Sequence, residues 1–286
     1  MLFKKYIYIL LTVIIIAGIF AYPYVESRSV DIEVEENTVY VPIVMYHHVR
    51  NKDSGKNSIT PAEFERDLKY LKRNGYNTVT MKQLIDYVYH GIELPENPIV
   101  LSFDDGYLNT YMNVFPLLTE YDMKIVLSVI GKVTDDFTLT MSNNINTSHM
   151  NWNHLNEMIN SGNVEVQNHT YNLHSVKSDR YGCAQKAGEE LSDYREVLTQ
   201  DIGKLQTLIT AYSGVTPSTF TYPYGRFNDN TVQIIKEMGF KASLSCMYGI
   251  NKITRDPECL YDLKRICRSH GVSVEKLLEN AAKTIR

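Results

Sequence analysis

Two adjacent carboxylates, Asp104 and Asp105, and two histidines, His169 and His174, are the side chains of this sequence best suited to act together. Neighbouring aspartates are costly to bury, because each charge raises the pKa of the other. A cation removes that cost. Histidines five positions apart do not share a helix face, but a loop can wrap both around one ion. Two imidazoles and one carboxylate form a three-ligand site with open positions, the pattern of a catalytic metal rather than a structural one. The remaining aspartate is then free to accept a proton from water beside the ion. Asp104-Asp105-Gly106 alone also reads as a surface turn, and the histidine pair is what favours the metal.

Such residues need a scaffold that delivers them to one place. Short apolar runs at Val41–Met45, Pro98–Phe103, Lys124–Ile130, Val164–Gln167, Ser218–Tyr222, Phe240–Cys246 and Leu260–Ile266 read as buried strands. Helical patterns lie between them. Thr60-Pro61-Ala62-Glu63 is a capping box that opens a helix with Phe64, Leu68 and Leu71 on one face, and Thr80 with Gln83 repeats the signal. Pro116 interrupts the amphipathic stretch Leu108–Tyr121. Trp152–Ile159, Glu189–Tyr212, Asn228–Met238 and Ser273–Ile285 read as further helices, with Trp152 serving helix packing. The β-α alternation predicts one parallel α/β domain, open or closed into a barrel. The informative polar residues follow strand ends, where such folds build their sites: Asp104 after Phe103, His169 after Asn168, Tyr222-Pro223-Tyr224-Gly225 after Thr221, and Arg265 near the last strand. No Gly-rich phosphate loop follows any strand.

The chain has 286 residues, 44% of them hydrophobic, and a net charge of −4, which excludes nucleic-acid binding as the main task. Lys4 and Lys5 precede an uncharged run from Tyr6 to Tyr22, read as a signal-anchor or signal peptide. The lysines then lie in the cytoplasm and the remainder outside the cell, anchored to the membrane, or secreted if the segment is cleaved. The predicted organisation is a membrane or signal segment over 1–22, a linker over 23–40 and a catalytic domain over 41–286. Cys183, Cys246, Cys259 and Cys267 match no zinc motif, and their pairing is open.

From Val41 to Ile285 the sequence resembles the NodB-homology polysaccharide deacetylases, carbohydrate esterase family four. Ser102-Phe103-Asp104-Asp105-Gly106 is similar to the first family motif, His169-Thr170-Tyr171-Asn172-Leu173-His174 to the second, and Phe220-Thr221-Tyr222-Pro223-Tyr224-Gly225 to the third. Val44-Met45-Tyr46-His47-His48-Val49 resembles the opening strand of the extracellular, anchored members. The resemblance implies a distorted (β/α) barrel of about seven strands. It implies Asp104 as general base, and Asp105, His169 and His174 as ligands of a divalent metal, zinc foremost, with cobalt, nickel or manganese also suited to such donors. The metal acts as a Lewis acid on an acetamide carbonyl, and the backbone N–H of Tyr224, aimed by Pro223, helps to hold the oxyanion. The implied partner is an acetylated amino-sugar polymer, whether peptidoglycan, poly-N-acetylglucosamine or chitin-like, and the products are acetate and a free amino sugar, made by a monomer. Two departures stand out. Thr221 occupies the place of the arginine that normally orients the base, with Arg265 a candidate replacement. The late motif that supplies the general acid is not evident, so His270, and His47 as an alternative, are its candidates, while His48, His90, His149 and His154 receive no role. Those departures keep open a catalytically weak glycan-binding member, and an O-acetyl esterase is a further alternative.

Overall fold

A computed structural model describes residues 38–51, 55, 57–176 and 179–285. The predicted signal or anchor segment lies outside them, as does most of the linker. In chain order the strands are β1 (Val39–Val41), β2 (Ile43–Tyr46), β3 (His48–Val49), β4 (Ser58–Ile59), β5 (Asn77–Thr78), β6 (Pro98–Phe103), β7 (Ile125–Val129), β8 (Val164–Asn168), β9 (Thr219–Thr221), β10 (Ala242–Leu244), β11 (Asn251–Ile253) and β12 (Ile266–Cys267). The helices are α1 (Pro61–Arg73), α2 (Met81–His90), α3 (Leu108–Asn113), α4 (Phe115–Tyr121), α5 (Gly131–Thr140), α6 (Trp152–Asn160), α7 (Leu191–Ser213), α8 (Asp229–Glu237) and α9 (Val274–Ala282).

The main sheet runs β10-β9-β8-β7-β6-β2-β12, with β5 pairing β6 beside that path. Its strands are parallel. One segment, 263–267, joins its two edges. Leu263 pairs with Leu244 of β10, its N–H donating to Ser243 O at 2.9 Å, and Cys267 sits opposite Met45 of β2. The expected distorted barrel of about seven strands is therefore what forms.

Pleating divides the strands into two faces. On β6, Ile99, Leu101 and Phe103 face outward and pack with Phe64, Leu68 and Leu71 of α1 and with Leu155 and Leu205. Removing one such leucine side chain costs about 2–5 kcal/mol. The alternate residues Val100, Ser102 and Asp104 face inward. Met81, Leu84, Ile85 and Val88 of α2 pack on Ile43, Val100, Val126 and Leu244, plugging the end where the strands begin. The polar layer above that plug, Ser102, Ser128 and Thr221, leads to the strand ends that carry the site.

Local sequence explains the helix starts. Thr60 accepts from Glu63 N–H while Glu63 accepts from Thr60 N–H, and Thr80 with Gln83 does the same, each cap worth about 1 kcal/mol. Pro116 lies in the first turn of α4, so the 108–121 stretch divides into two helices. Trp152 is buried, stacks on Tyr212 and donates to Asp135, which is packing as expected.

Three readings change. Tyr40, placed in the linker, belongs to β1, which pairs antiparallel with β11. The strand expected over 260–266 is cut short. A 3₁₀ turn covers Pro257–Leu260, and Asp262 adopts φ 58°, its N–H donating to Ser243 Oγ, so regular pairing resumes only at β12. Helix α5 carries weak apolar periodicity and escaped the sequence reading. Its Gly131 is demanded by close approach, since a Cβ there would lie 2.6 Å from Tyr171. None of the four cysteines forms a disulfide.

Candidate metal centre

Alternation along β6 turns Asp104 inward, and the chain then breaks sharply. Asp105 (φ 71°) and Gly106 (φ 73°) both take left-handed backbone, which a Cβ disfavours at Asp105. That double turn brings the second carboxylate back over the barrel mouth beside the first. The third motif behaves alike: Tyr224 (φ 57°) sits in a tight turn over Pro223–Gly225. Thr170 (φ 71°), directly after His169, repeats the device at β8.

The loop from β8 is held from outside the barrel. Asp201 of α7 accepts from Tyr171 N–H at 2.8 Å and from Asn172 N–H at 2.9 Å. Asp135 of α5 accepts from Tyr171 Oη–H at 3.0 Å and from Trp152 Nε1–H at 2.8 Å. Sequence reasoning missed both residues. Nothing local distinguishes a carboxylate that receives two backbone N–H groups from one that faces solvent.

Asp105, His169 and His174 converge, their nearest donor atoms all within 4.8 Å of one another. His169 Nε2 lies 3.6 Å and His174 Nε2 3.3 Å from the same oxygen, Asp105 Oδ1. His169 Nδ1 is 2.7 Å from the Thr221 carbonyl oxygen, so Nδ1 carries the proton and Nε2 presents a lone pair. Burial, reinforced by His174, lowers the His169 pKa to about 4 against the pull of Asp104 and Asp105. A lone pair therefore faces a buried carboxylate oxygen that accepts no hydrogen bond. That contact is repulsive until a cation lies between the atoms. The 3.6 and 3.3 Å from the two imidazole nitrogens to Asp105 Oδ1 lie close to the roughly 3.3 Å that separates nitrogen and oxygen ligands sharing one small divalent ion.

Asp104 stands beside the cluster with a different partner. Arg265 Nη1 donates to Asp104 Oδ1 at 2.8 Å and to Ser102 Oγ at 3.3 Å, while its Nε donates to Ser245 O at 2.7 Å. Both members of the pair are buried. Burial pushes the Asp104 carboxyl up, but Arg265, His169 and His47 outweigh it and hold it well below the usual carboxylate range. Arg265 thus reaches the place that Thr221 cannot fill. Thr221 instead shares a 2.7 Å hydrogen bond with Ser128 across the barrel interior.

A cavity of about 540 Å³ opens over these groups, lined also by His47, His48, Asn57, Tyr107, Tyr224 and Cys246. His47 Nδ1 is buried there without a hydrogen bond. His48, given no role from sequence, lines the same cavity. Burial and Arg50 lower its pKa to about 4, so the ring is neutral. Tyr224 flanks His174, ring centroids 4.4 Å apart.

Two candidates lie elsewhere. His270 is not among the cavity-lining residues; its Nδ1 meets Glu63 Oε2 at 2.8 Å, because the chain leaves the barrel after β12 and turns toward α1. Tyr222 points outward and is fully buried, its hydroxyl bonding Asp262 at 2.9 Å and Ser243 at 3.0 Å and its ring stacking on Phe227. The strand period explains it: Thr221 faces inward, so its neighbour cannot. Pro223 is buried behind Tyr224.

A family model described as polysaccharide deacetylase matches residues 91–243. The chain is 26% identical over 202 residues to the poly-beta-1,6-N-acetyl-D-glucosamine N-deacetylase of Staphylococcus aureus, covering 70% of this chain and 65% of that one. It is 24% identical over 227 residues to the Escherichia coli protein of the same name, covering 72% of this chain but 34% of that one. The chain thus spans about a third of the Escherichia coli relative. Among solved structures it is similar to a de-N-acetylase from Aggregatibacter actinomycetemcomitans, with a TM-score of 0.72 and 25% identity, covering 84% of this chain and 99% of that one.

Proposed function

The chain belongs to the polysaccharide deacetylase family, and from that premise we propose that it removes N-acetyl groups from an N-acetylglucosamine-containing polymer, releasing acetate. The observation that carries this reading is the convergence of Asp105, His169 and His174 beside an Asp104 that Arg265 keeps ionised. The relatives named for poly-N-acetylglucosamine deacetylation support that glycan ahead of peptidoglycan or chitin fragments.

Asp105, His169 and His174 hold a divalent cation, zinc foremost. Bound there, the cation supplies Lewis-acid polarisation of the acetamide carbonyl. Asp104, kept ionised at neutral pH by its ion pair with Arg265, accepts the proton of the attacking water. Arg265 fixes the carboxylate in place. The Tyr224 N–H, presented by the turn at Pro223, stabilises the developing oxyanion, a contribution often near 3 kcal/mol. His47, in the cavity, replaces His270 as the group that protonates the leaving nitrogen. The enzyme works as a monomer outside the cytoplasm, its domain from residue 39 onward tethered to the membrane through residues 1–22.

Metal content and acetate release decide the matter. Protein carrying about one equivalent of divalent metal should release acetate from poly-N-acetylglucosamine, lose that activity to a chelator and regain it with zinc. Metal-loaded protein that releases no acetate from poly-N-acetylglucosamine, peptidoglycan or chitin fragments would refute the assignment. Faster release from O-acetylated than from N-acetylated sugars would make it an esterase instead.

A further inference from the structure

The charged groups on the floor of the cavity offer acceptors but few free donors. Asp104 and Asp105 only accept, the His169 Nδ1 proton is spent on Thr221 O, and Arg265 is committed to Asp104, Ser102 and Ser245. An N-acetylated sugar offers oxygens that need donors. His48 supplies one, and its proton is placed by its neighbours.

Asn109 is fully buried. Its Oδ1 accepts from Val49 N–H at 2.8 Å, which identifies the other end of the amide as Nδ2. That Nδ2 lies 3.3 Å from Ile145 O and 3.0 Å from His48 Nδ1. An amide NH₂ cannot accept, so His48 Nδ1 must, and the ring proton sits on Nε2. Asn113 Nδ2 donates to Val49 O at 2.7 Å, clamping the same strand. The His48 ring also stacks on Tyr107, with centroids 3.6 Å apart and planes at 25°. Tautomer and ring orientation are both set before any ligand arrives.

We propose that His48 is a specificity-determining residue whose Nε2–H, fixed by Asn109, donates a hydrogen bond to an oxygen of the N-acetylated sugar bound in this cavity. The assignment rests on the deacetylase reading for the identity of the sugar. One neutral hydrogen bond of this kind is worth about a three- to tenfold change in affinity.

The test needs two readouts. In ¹⁵N spectra of the full-length, histidine-labelled protein, with His48 assigned by its loss in H48Q, Nε2 should carry the proton and Nδ1 none at neutral pH. Calorimetry with an N-acetylglucosamine oligosaccharide and metal-free protein should show Kd about three- to tenfold higher in H48L, with H48Q, which keeps an N–H donor, recovering most of the loss. In the metal-loaded enzyme H48L should raise KM more than it lowers kcat. A proton on Nδ1, or H48L and H48Q proteins of wild-type thermal stability that bind the oligosaccharide equally, would overturn the proposal. The tautomer and the metal-free affinity are read without turnover, so absence of acetate release would strike the deacetylase reading separately.

Discussion

Two buried Asp–Arg pairs lie on either side of one short strand and do opposite work. Arg265 and Arg268 flank β12 three positions apart, so the pleat sends one into the barrel and the other out toward α1. The outer pair is saturated. Arg268 Nε donates to Asp67 Oδ2 at 2.6 Å and Nη2 to Asp67 Oδ1 at 3.0 Å, and Tyr46 Oη–H donates to Oδ2 at 3.2 Å. Glu63 and His270 extend that network toward the start of α9. The inner pair uses one carboxylate oxygen and stands beside groups left without hydrogen bonds, Asp105 Oδ1 and His47 Nδ1. Satisfying every polar atom makes a brace between barrel and helix. Leaving selected buried atoms unsatisfied makes a place that binds something.

Substitutions should separate the two pairs. The largest effect is expected from Asp104→Asn, which keeps an oxygen for Arg265 but removes the base. Acetate release should fall by about 10²- to 10⁴-fold, with a smaller loss of thermal stability than the outer pair shows. Arg268→Met should do the reverse. It strands the buried Asp67 carboxylate at a cost of about 3–5 kcal/mol, seen as a lower denaturation midpoint, while the protein that remains folded keeps its metal and its kcat. Loss of activity with unchanged stability in Arg268→Met would erase the distinction.

Glu63 sharpens the comparison through pH. Burial pushes its carboxyl up, but the N–H groups of Thr60 and Gly271 and the contact with His270 prevail and lower its pKa from 4.5 to about 2. A depressed folded-state pKa adds stability that is fully present above 4.5 and disappears as pH falls toward 2. Acid titration of wild type should therefore lose on the order of 2 kcal/mol across that window, and Glu63→Gln should flatten the loss. The smallest effect belongs to His270→Ala. Its contact with Glu63, exposed on the His270 side, should contribute less than about 1 kcal/mol, and kcat should stay within about twofold. A hundredfold fall in kcat would return His270 to the site in place of His47.

Much of the fold and part of the site were legible in sequence, for reasons visible at particular residues. Thr60 with Glu63 and Thr80 with Gln83 cap helices through contacts three residues apart, so their meaning is local. Asp104, Asp105, His169 and His174 were legible as a set because few arrangements of adjacent acids and paired imidazoles suit anything but an ion. Arg265 was legible as a replacement only because Thr221 left a position to fill. Tyr222 belongs to a motif that follows a strand end, but the strand period turns its side chain outward, away from the site. Asp201, Asp135 and the Asn109–His48 pair carry no local signature, since their partners lie 30, 36 and 61 positions away along the chain.

The alternation of the main parallel strands with most of the helices, the caps at Thr60 and Thr80 and the chemical kinds of the candidate ligands were determined by the sequence alone, because each depends on periodicity or on neighbours within a turn or two. Closure of the barrel through 263–267, the side of β12 on which each arginine falls, the exclusion of His270 and the tautomers of His169 and His48 were decided by the tertiary structure. They depend on distances between segments far apart in the chain, 161 residues in the Asp104–Arg265 pair and 207 in the Glu63–His270 pair, and only packing of the whole barrel sets those distances.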